Sequence, residues 1–327
     1  MKKELKFKDI GDGIYVVETF YLNRVDFAAC YVMEDEGEVA VIETNTNHAV
    51  PFILGTLTQL GFGKERVKYV ILTHIHLDHA GGAGELMRNL PAAELVLHPR
   101  GRKHIINPEK LINSVKEIYG QAKYKELYGD IVPVPKERVK IANDRDEVRL
   151  GSRDLQMFDL RGHAKHHLVV WDKKTKTMFS GDNFGIGYPR MDFGNFRLVF
   201  PSTSPTQFEP GKALETYAKI VNLNPSRVLL THYGVLENIG ETHAQLNSWI
   251  EFSVEIAEKR YNGGYRENDL TDILEKDLWR RFETTVTDAR GTGLTPGEKE
   301  WLAMDAEINA RGLTHYIHKL NKEANQQ

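Results

Sequence analysis

Short apolar runs separated by turn residues dominate the first half of the chain. Ile14–Val17, Ala28–Met33 and Val39–Ile42 each read as a strand, and together as an opening meander. Val67–Thr73 (VKYVILT) is apolar almost throughout and reads as a buried strand. Helical spacing covers Val50–Leu60, with Pro51 in the first turn and Gly61 at the end. A second helix is expected from about Gly82 to Leu90, stopped by Pro91. The second half repeats this alternation: strands near 155–160, 168–172, 177–180 and Arg227–Leu230, with a helix near Gly211–Val221. From about Ile250 the strand-like runs stop. Leu270, Ile273, Leu274 and Leu278 keep helical spacing, and Thr295-Pro296-Gly297-Glu298 reads as a helix start. There Thr295 would cap, Pro296 would take the first position and Glu298 would reach back. Trp301, Leu302, Met304 and Ile308 would then form that helix's apolar stripe. A helical appendage over 251–327 is the expectation.

Composition narrows the classes. At 327 residues the chain can build one large domain plus an appendage with an ample core. A net charge of -3 with 27% charged residues gives no basic footprint for nucleic acid. No window approaches a membrane span, and MKKELKFKD lacks the apolar run of a signal peptide, so no membrane association is expected. The single cysteine, Cys30, lies in an apolar strand and reads as core; with no internal disulfide available, a cytoplasmic location is expected.

The chemistry concentrates where strands end. His74-Ile75-His76-Leu77-Asp78-His79 follows the buried run Val67–Thr73 and packs three imidazoles and a carboxylate into six residues. These nitrogen and oxygen donors suit Zn, Fe or Mn, with no cysteine nearby to add sulfur. Extended backbone lets His74 and His76 face the same way and chelate one ion, while a tighter turn would direct Asp78 and His79 to a second. Three further strand exits carry a candidate ligand each: His163 in GHAKHH, Asp182 in SGDN and His232 in THYG. Alone, each of these is an ordinary loop or turn residue; beside the first cluster they complete a metal-ligand set.

This pattern, HxHxDH followed by His, Asp and His in later loops, resembles the metallo-β-lactamase superfamily over roughly residues 5 to 250. The resemblance implies an α+β fold, a four-layer αββα sandwich spanning about 1–250, with a helical insertion at about 99–138 that has no fixed family equivalent. It implies two divalent metal ions, the first held by His74, His76 and His163, the second by Asp78, His79 and His232, with Asp182 bridging. A metal-bridging hydroxide is then the expected nucleophile, with Asp78 helping to orient it. The segment from His98 through Gly120, GHAKHH and Phe200-Pro201-Ser202-Thr203-Ser204-Pro205 are similar to stand-alone members near the glyoxalase II-like hydrolases. The cysteine ligand of the commonest zinc β-lactamases has no counterpart, which disfavours antibiotic hydrolysis. Two positions depart from the family pattern. Glu43 stands where Asp is usual, a longer carboxylate that would steady a ligand in altered geometry. His166 replaces a small residue, leaving substrate contact, proton shuttle and plain loop residue as open readings; His167 aligns with a histidine that is usually not a ligand.

The aromatic and glycine-rich segment 184–200 after Asp182 is placed to wall a pocket, with Tyr188, Arg190, Arg197 and Tyr233 as candidates for contact with a small-molecule substrate. Ser202 and Ser204 lack a G-x-S-x-G elbow, and helix capping or loop closure is the expected work for them. Two function classes follow. One is hydrolysis of a small ester, thioester or phosphodiester at a dinuclear centre. The other is oxygen binding, reduction or sensing at a di-iron site of the same fold, with dioxygen as partner; against it, flavodiiron relatives usually carry Glu where this chain has His76, and no flavodoxin-like segment is visible. A homo-oligomer is compatible with either.

Overall fold

In a computed structural model, residues 4–324 are described, and the chain forms two compact units. The first comprises the chain through Leu160, His166–Gly181 and Pro225–Glu237; the second comprises Arg161–Lys165, Asp182–Asn224 and the chain from Asn238 onward.

The first unit holds both sheets. One has seven strands in chain order: β1 (Phe7–Asp9), β2 (Ile14–Glu18), β3 (Ala29–Asp35), β4 (Glu38–Ile42), β5 (Val67–Ile71), β6 (Glu94–Leu97) and β7 (Val139–Ile141). The meander β1–β4 is antiparallel, and β4 through β7 run parallel. The other has six: β8 (Glu147–Leu150), β9 (Arg153–Asp159), β10 (Leu168–Asp172), β11 (Thr177–Gly181), β12 (Arg227–Leu230) and β13 (Gly234–Leu236), with a single parallel pair, β11–β12.

Strand periodicity sorts the apolar residues between two cores. Ala29, Tyr31 and Met33 of β3, with Ala40 and Ile42 of β4, meet Val148, Leu155, Met157, Val170 and Phe179 of the second sheet. Cys30 and Val32, with Val39 and Val41, face the opposite way against α1 (Val50–Gln59) and α3 (Ala83–Asn89). Both faces of the central strands are therefore buried, which is why VKYVILT shows no alternation. Cys30 is core, as its apolar setting suggested.

Helices α4 (Arg102–Ile106) and α5 (Glu109–Tyr128) form the insertion. The turn expected to carry Asp78 and His79 is a one-turn helix, α2 (Leu77–Ala80). This α+β sandwich has the expected layers of helix, sheet and sheet within the first unit; the helix expected near 211–221, α6 (Pro210–Asn222), belongs to the second.

The second unit continues with α7 (Ile239–Asn262), α8 (Glu267–Arg290) and α9 (Pro296–Ala324). Helix α7 runs through residue 250, so the helical region starts earlier than the loss of strand-like runs suggested. Phe200, Trp249 and Phe282 pack tilted or edge-to-face in its core, with ring centroids 4.7 to 6.2 Å apart. Helix α9 starts as the sequence indicated: the Thr295 amide donates to Glu298 Oε2 at 2.7 Å, and the Glu298 amide donates to Thr295 Oγ1 at 3.3 Å. Its buried stripe differs from the expected one. Leu302, Asp305, Ala306, Asn309, Ala310, Leu313 and Ile317 are buried, whereas Trp301, Met304 and Ile308 lie at the margins. Among the described residues no helix is long and apolar enough to cross a membrane.

Candidate metal centre

In the first unit, β5 delivers the histidine cluster. With extended backbone at His76 (φ -61°, ψ 148°), the imidazoles of His74 and His76 turn to one side, and His74 Nε2 lies 2.9 Å from His76 Nδ1. Two ring nitrogens at that distance, His74 buried and His76 half-buried, can converge on one ion. Helix α2 then carries Asp78 and His79, and the β12–β13 turn carries His232. Ligand atoms of Asp78, His79 and His232 lie within 4.8 Å of one another. Asp78 Oδ2 is 3.4 Å from His232 Nε2 and 3.9 Å from His79 Nε2. Two ligand atoms each about 2.1 Å from one tetrahedral ion would stand roughly 3.4 Å apart, so the spacing fits a shared divalent ion.

The tautomers agree. His232 Nδ1 donates to the Phe27 carbonyl at 3.0 Å, and His79 Nδ1 donates to Glu43 Oε2 at 3.1 Å. A carbonyl can only accept, and the carboxylate accepts likewise, so each ring carries its proton on Nδ1 and presents an Nε2 lone pair. Glu43 is buried and spans two tasks, since its Oε1 accepts from the Thr73 amide at 2.8 Å. It does so from a left-handed backbone, φ 67°, a conformation that costs a residue with a Cβ about 1 kcal/mol or more. The strain puts one carboxylate between the end of β5 and the α2 turn. Neighbouring residues pin the same turn: Asn45 Nδ2 donates to the Asp78 carbonyl at 2.8 Å, and Thr44 Oγ1 to that of His79 at 2.9 Å. Sequence reasoning singled out Glu43 but passed over Thr44 and Asn45, although the polar run ETNTN after an apolar strand was the available signal.

His166 and His167 are also buried in the first unit. His167 stacks on His74 with centroids 4.7 Å apart, and His166 meets His76 edge-on at 5.4 Å. His166 is thus packed against the cluster rather than lying on an open loop. Gly181, at φ 54°, ends β11 where a Cβ would come within 2.5 Å of Thr73 Oγ1 and 2.7 Å of His167 Nε2. Only glycine fits there.

The second unit carries His163 and Asp182. His163 Nδ1 donates to the Ser202 carbonyl at 3.0 Å, which again leaves Nε2 as the acceptor, 3.6 Å from Asp182 Oδ2. Gly162 before it has φ 134°, and a Cβ would stand 2.5 Å from the Ala213 Cα in α6. Ser204 Oγ donates to the His163 carbonyl at 3.0 Å, so that serine fastens the loop and does not cap α6.

The proposed pocket-wall residues have other partners. Tyr188 is buried, its hydroxyl donating to the Asp305 carboxylate at 3.2 Å. Arg190 lies over the Trp301 ring at 5.0 Å, and Arg197 pairs with Asp192 at 2.6 Å. These contacts hold segment 184–200 within its own unit. Tyr233 points its hydroxyl at Glu18, 3.5 Å away; burial, reinforced by that carboxylate, raises its pKa far above the usual phenol value.

The chain is similar to several known proteins. A family model described as the metallo-beta-lactamase superfamily matches residues 23–232. The metallo-beta-lactamase fold-containing protein ST1585 of Sulfurisphaera tokodaii is 25% identical over 71% of this chain and 82% of its own. A solved structure of that archaeal protein superposes with TM-score 0.63 at 19% identity, covering 93% of this chain and 98% of the other. A hydroxyacylglutathione hydrolase of Bdellovibrio bacteriovorus is 25% identical over 56% of this chain and 60% of its own. The human acyl-coenzyme A thioesterase MBLAC2 is 24% identical over 54% of this chain and 64% of its own.

Proposed function

The chain belongs to the metallo-beta-lactamase superfamily, and from that premise we propose that it is a dinuclear metal-dependent hydrolase whose substrates are small thioesters or related esters. The reading rests on the tautomer-locked donors: His79, His163 and His232 each have Nδ1 committed to a fixed acceptor and Nε2 within 4 Å of a carboxylate oxygen. Isolated surface histidines have no such arrangement to maintain. On this reading His74, His76 and His163 would hold the first ion and Asp78, His79 and His232 the second, with Asp182 as a shared ligand. Two divalent ions there would lower the pKa of a bound water and polarise the attacked carbonyl.

The chain's own residues do the rest. Glu43 keeps the His79 proton on Nδ1 and raises the basicity of Nε2. The Phe27 and Ser202 carbonyls do the same, without a charge, for His232 and His163. Asp78 is more exposed than the other two ligands of its group, its side chain 30% accessible while those of His79 and His232 are buried. Its carboxylate thus faces solvent, where it would help orient a water entering the site. The thioester preference draws on two relatives, whose names specify hydroxyacylglutathione and acyl-coenzyme A, both thioesters.

The test is metal analysis followed by a panel of acyl-coenzyme A, acyl-glutathione, oxygen-ester and phosphodiester substrates. We expect two ions per chain and thioester turnover, with both lost together in Asp182→Ala and His76→Ala. Full metal occupancy in those variants would remove the ligand assignment. Protein holding two ions that turns over nothing on the panel would remove hydrolysis, and two irons with a new charge-transfer band on admission of oxygen would replace it with oxygen binding.

A further inference from the structure

The loop between Pro201 and Ser204 meets His163 at both ends of the residue. The Ser202 carbonyl receives the Nδ1 proton at 3.0 Å, and Ser204 Oγ donates to the His163 carbonyl at 3.0 Å. A buried residue of α9, Asn309, bonds to that loop on both sides of Ser202. Asn309 Oδ1 accepts from the Thr203 amide at 2.8 Å and from Thr203 Oγ1 at 3.1 Å, while its Nδ2 donates to the Pro201 carbonyl at 3.0 Å. Thr203 Oγ1 also lies 2.9 Å from the Asn309 carbonyl. One turn further on, Gly312 lets the helix press directly on the loop: a Cβ there would sit 1.6 Å from the Thr203 carbonyl oxygen.

We propose that Asn309, seated by Gly312, is a positioning residue for metal binding, fixing through the 201–204 loop the ring orientation and tautomer of His163. The amide's bonds brace the peptides on both sides of Ser202, so the carbonyl that takes the His163 proton is clamped from either neighbour. An asparagine suits this task because it accepts and donates at once, as a loop offering both an amide and a carbonyl requires. A buried polar residue on the inner stripe of a helix costs stability unless fully paired, so its pairing with this one loop calls for a purpose beyond packing. The C-terminal helix thereby acts on the centre without contributing a ligand. Outer partners of metal-bound histidines typically alter affinity by about 10–100-fold, and Asn309 acts one step further out. We therefore expect the lower part of that range.

This inference rests on His163 being a ligand, and the experiment separates the two. Zinc affinities of the metal-free full-length protein are measured by chelator competition for wild type, Asn309→Ala, Thr203→Val, His163→Ala and Leu313→Ala. Leu313 is buried on the same helix and makes none of these hydrogen bonds, so Leu313→Ala reports destabilisation alone. Asn309→Ala should weaken one of two zinc ions by roughly tenfold while the other holds. Thr203→Val should weaken the same ion less, and it decides the matter if Asn309→Ala does not fold. Leu313→Ala should lower the melting temperature and leave both affinities unchanged. If Asn309→Ala and Thr203→Val bind like wild type while His163→Ala loses one ion, the positioning role is wrong and the ligand reading stands. If His163→Ala keeps both ions, both fall.

Discussion

Glu43 shows how much one side chain can be asked to do. It leaves the usual backbone region, fills a buried site with charge, and ties the β5 exit to His79. Glu43→Gln keeps the size and can still accept from Thr73, but it removes the charge facing His79. It should weaken the second ion by about 10–100-fold with little change in fold, read by chelator competition and circular dichroism. Unchanged affinity would mean that the carboxylate serves only the loop. At Gly181, alanine would place a methyl against Thr73 and His167. The close approach and positive φ together should cost about 2–3 kcal/mol of stability, measured by denaturant unfolding. At this scale the gathering of histidine and aspartate was legible, because the first cluster and the later loop carrying His232 come together in a group able to hold a metal. Their partners were not. Phe27 and Ser202 act through carbonyl oxygens that every residue possesses, so no side-chain identity could mark them.

At the scale of elements, α9 tests the reading of helix starts. The Thr295–Glu298 box forms as its spacing indicates, and Arg290 at the end of α8 adds 2.7 Å bonds to both Glu298 oxygens. Hydrogen bonds from Arg290, then from Thr295, outweigh burial and lower the Glu298 pKa from 4.5 to about 2. A carboxylate with a depressed folded-state pKa stabilises above its unfolded value and loses that contribution as pH falls towards the folded one. The Arg290–Glu298 link should therefore be fully present above about pH 4.5 and gone near pH 2, a loss of order 2–3 kcal/mol. The wild-type melting temperature should drop through that window, and Glu298→Gln, lower at neutral pH, should show a flatter profile. The stripe of α9 was harder to foresee. Asp305 and Asn309 are buried on it, and apolar periodicity cannot register buried residues that are held by hydrogen bonds to Tyr188 and Thr203. Strands fared better, since the continuous apolar runs of β3 to β5 follow directly from burial on both faces.

For the molecule as a whole, any ion held by the folded state and not by the unfolded chain adds stability by mass action. Chelation should lower the unfolding temperature by several degrees, since free ion at a thousandfold excess over its dissociation constant contributes about 4 kcal/mol. Calorimetry with and without chelator checks this; coincident transitions would show that the centre is empty or not coupled to folding. The individual strands were readable from pattern and the sandwich from the family resemblance, whereas the partition into units was not, because it depends on which distant segments meet. A change of composition near residue 250 cannot announce that 182–224 joins the later helices.

That interleaving also dictates an order of events during synthesis. Strands β12 and β13, and His232 between them, emerge only after the whole of 182–224, yet they complete a sheet begun at β8. His79 and Asp78 are made long before their third partner exists. The growing chain must carry an unfinished, open-edged sheet past a stretch that belongs elsewhere, so any ion held by Asp78, His79 and His232 together would be captured late and could not seed folding.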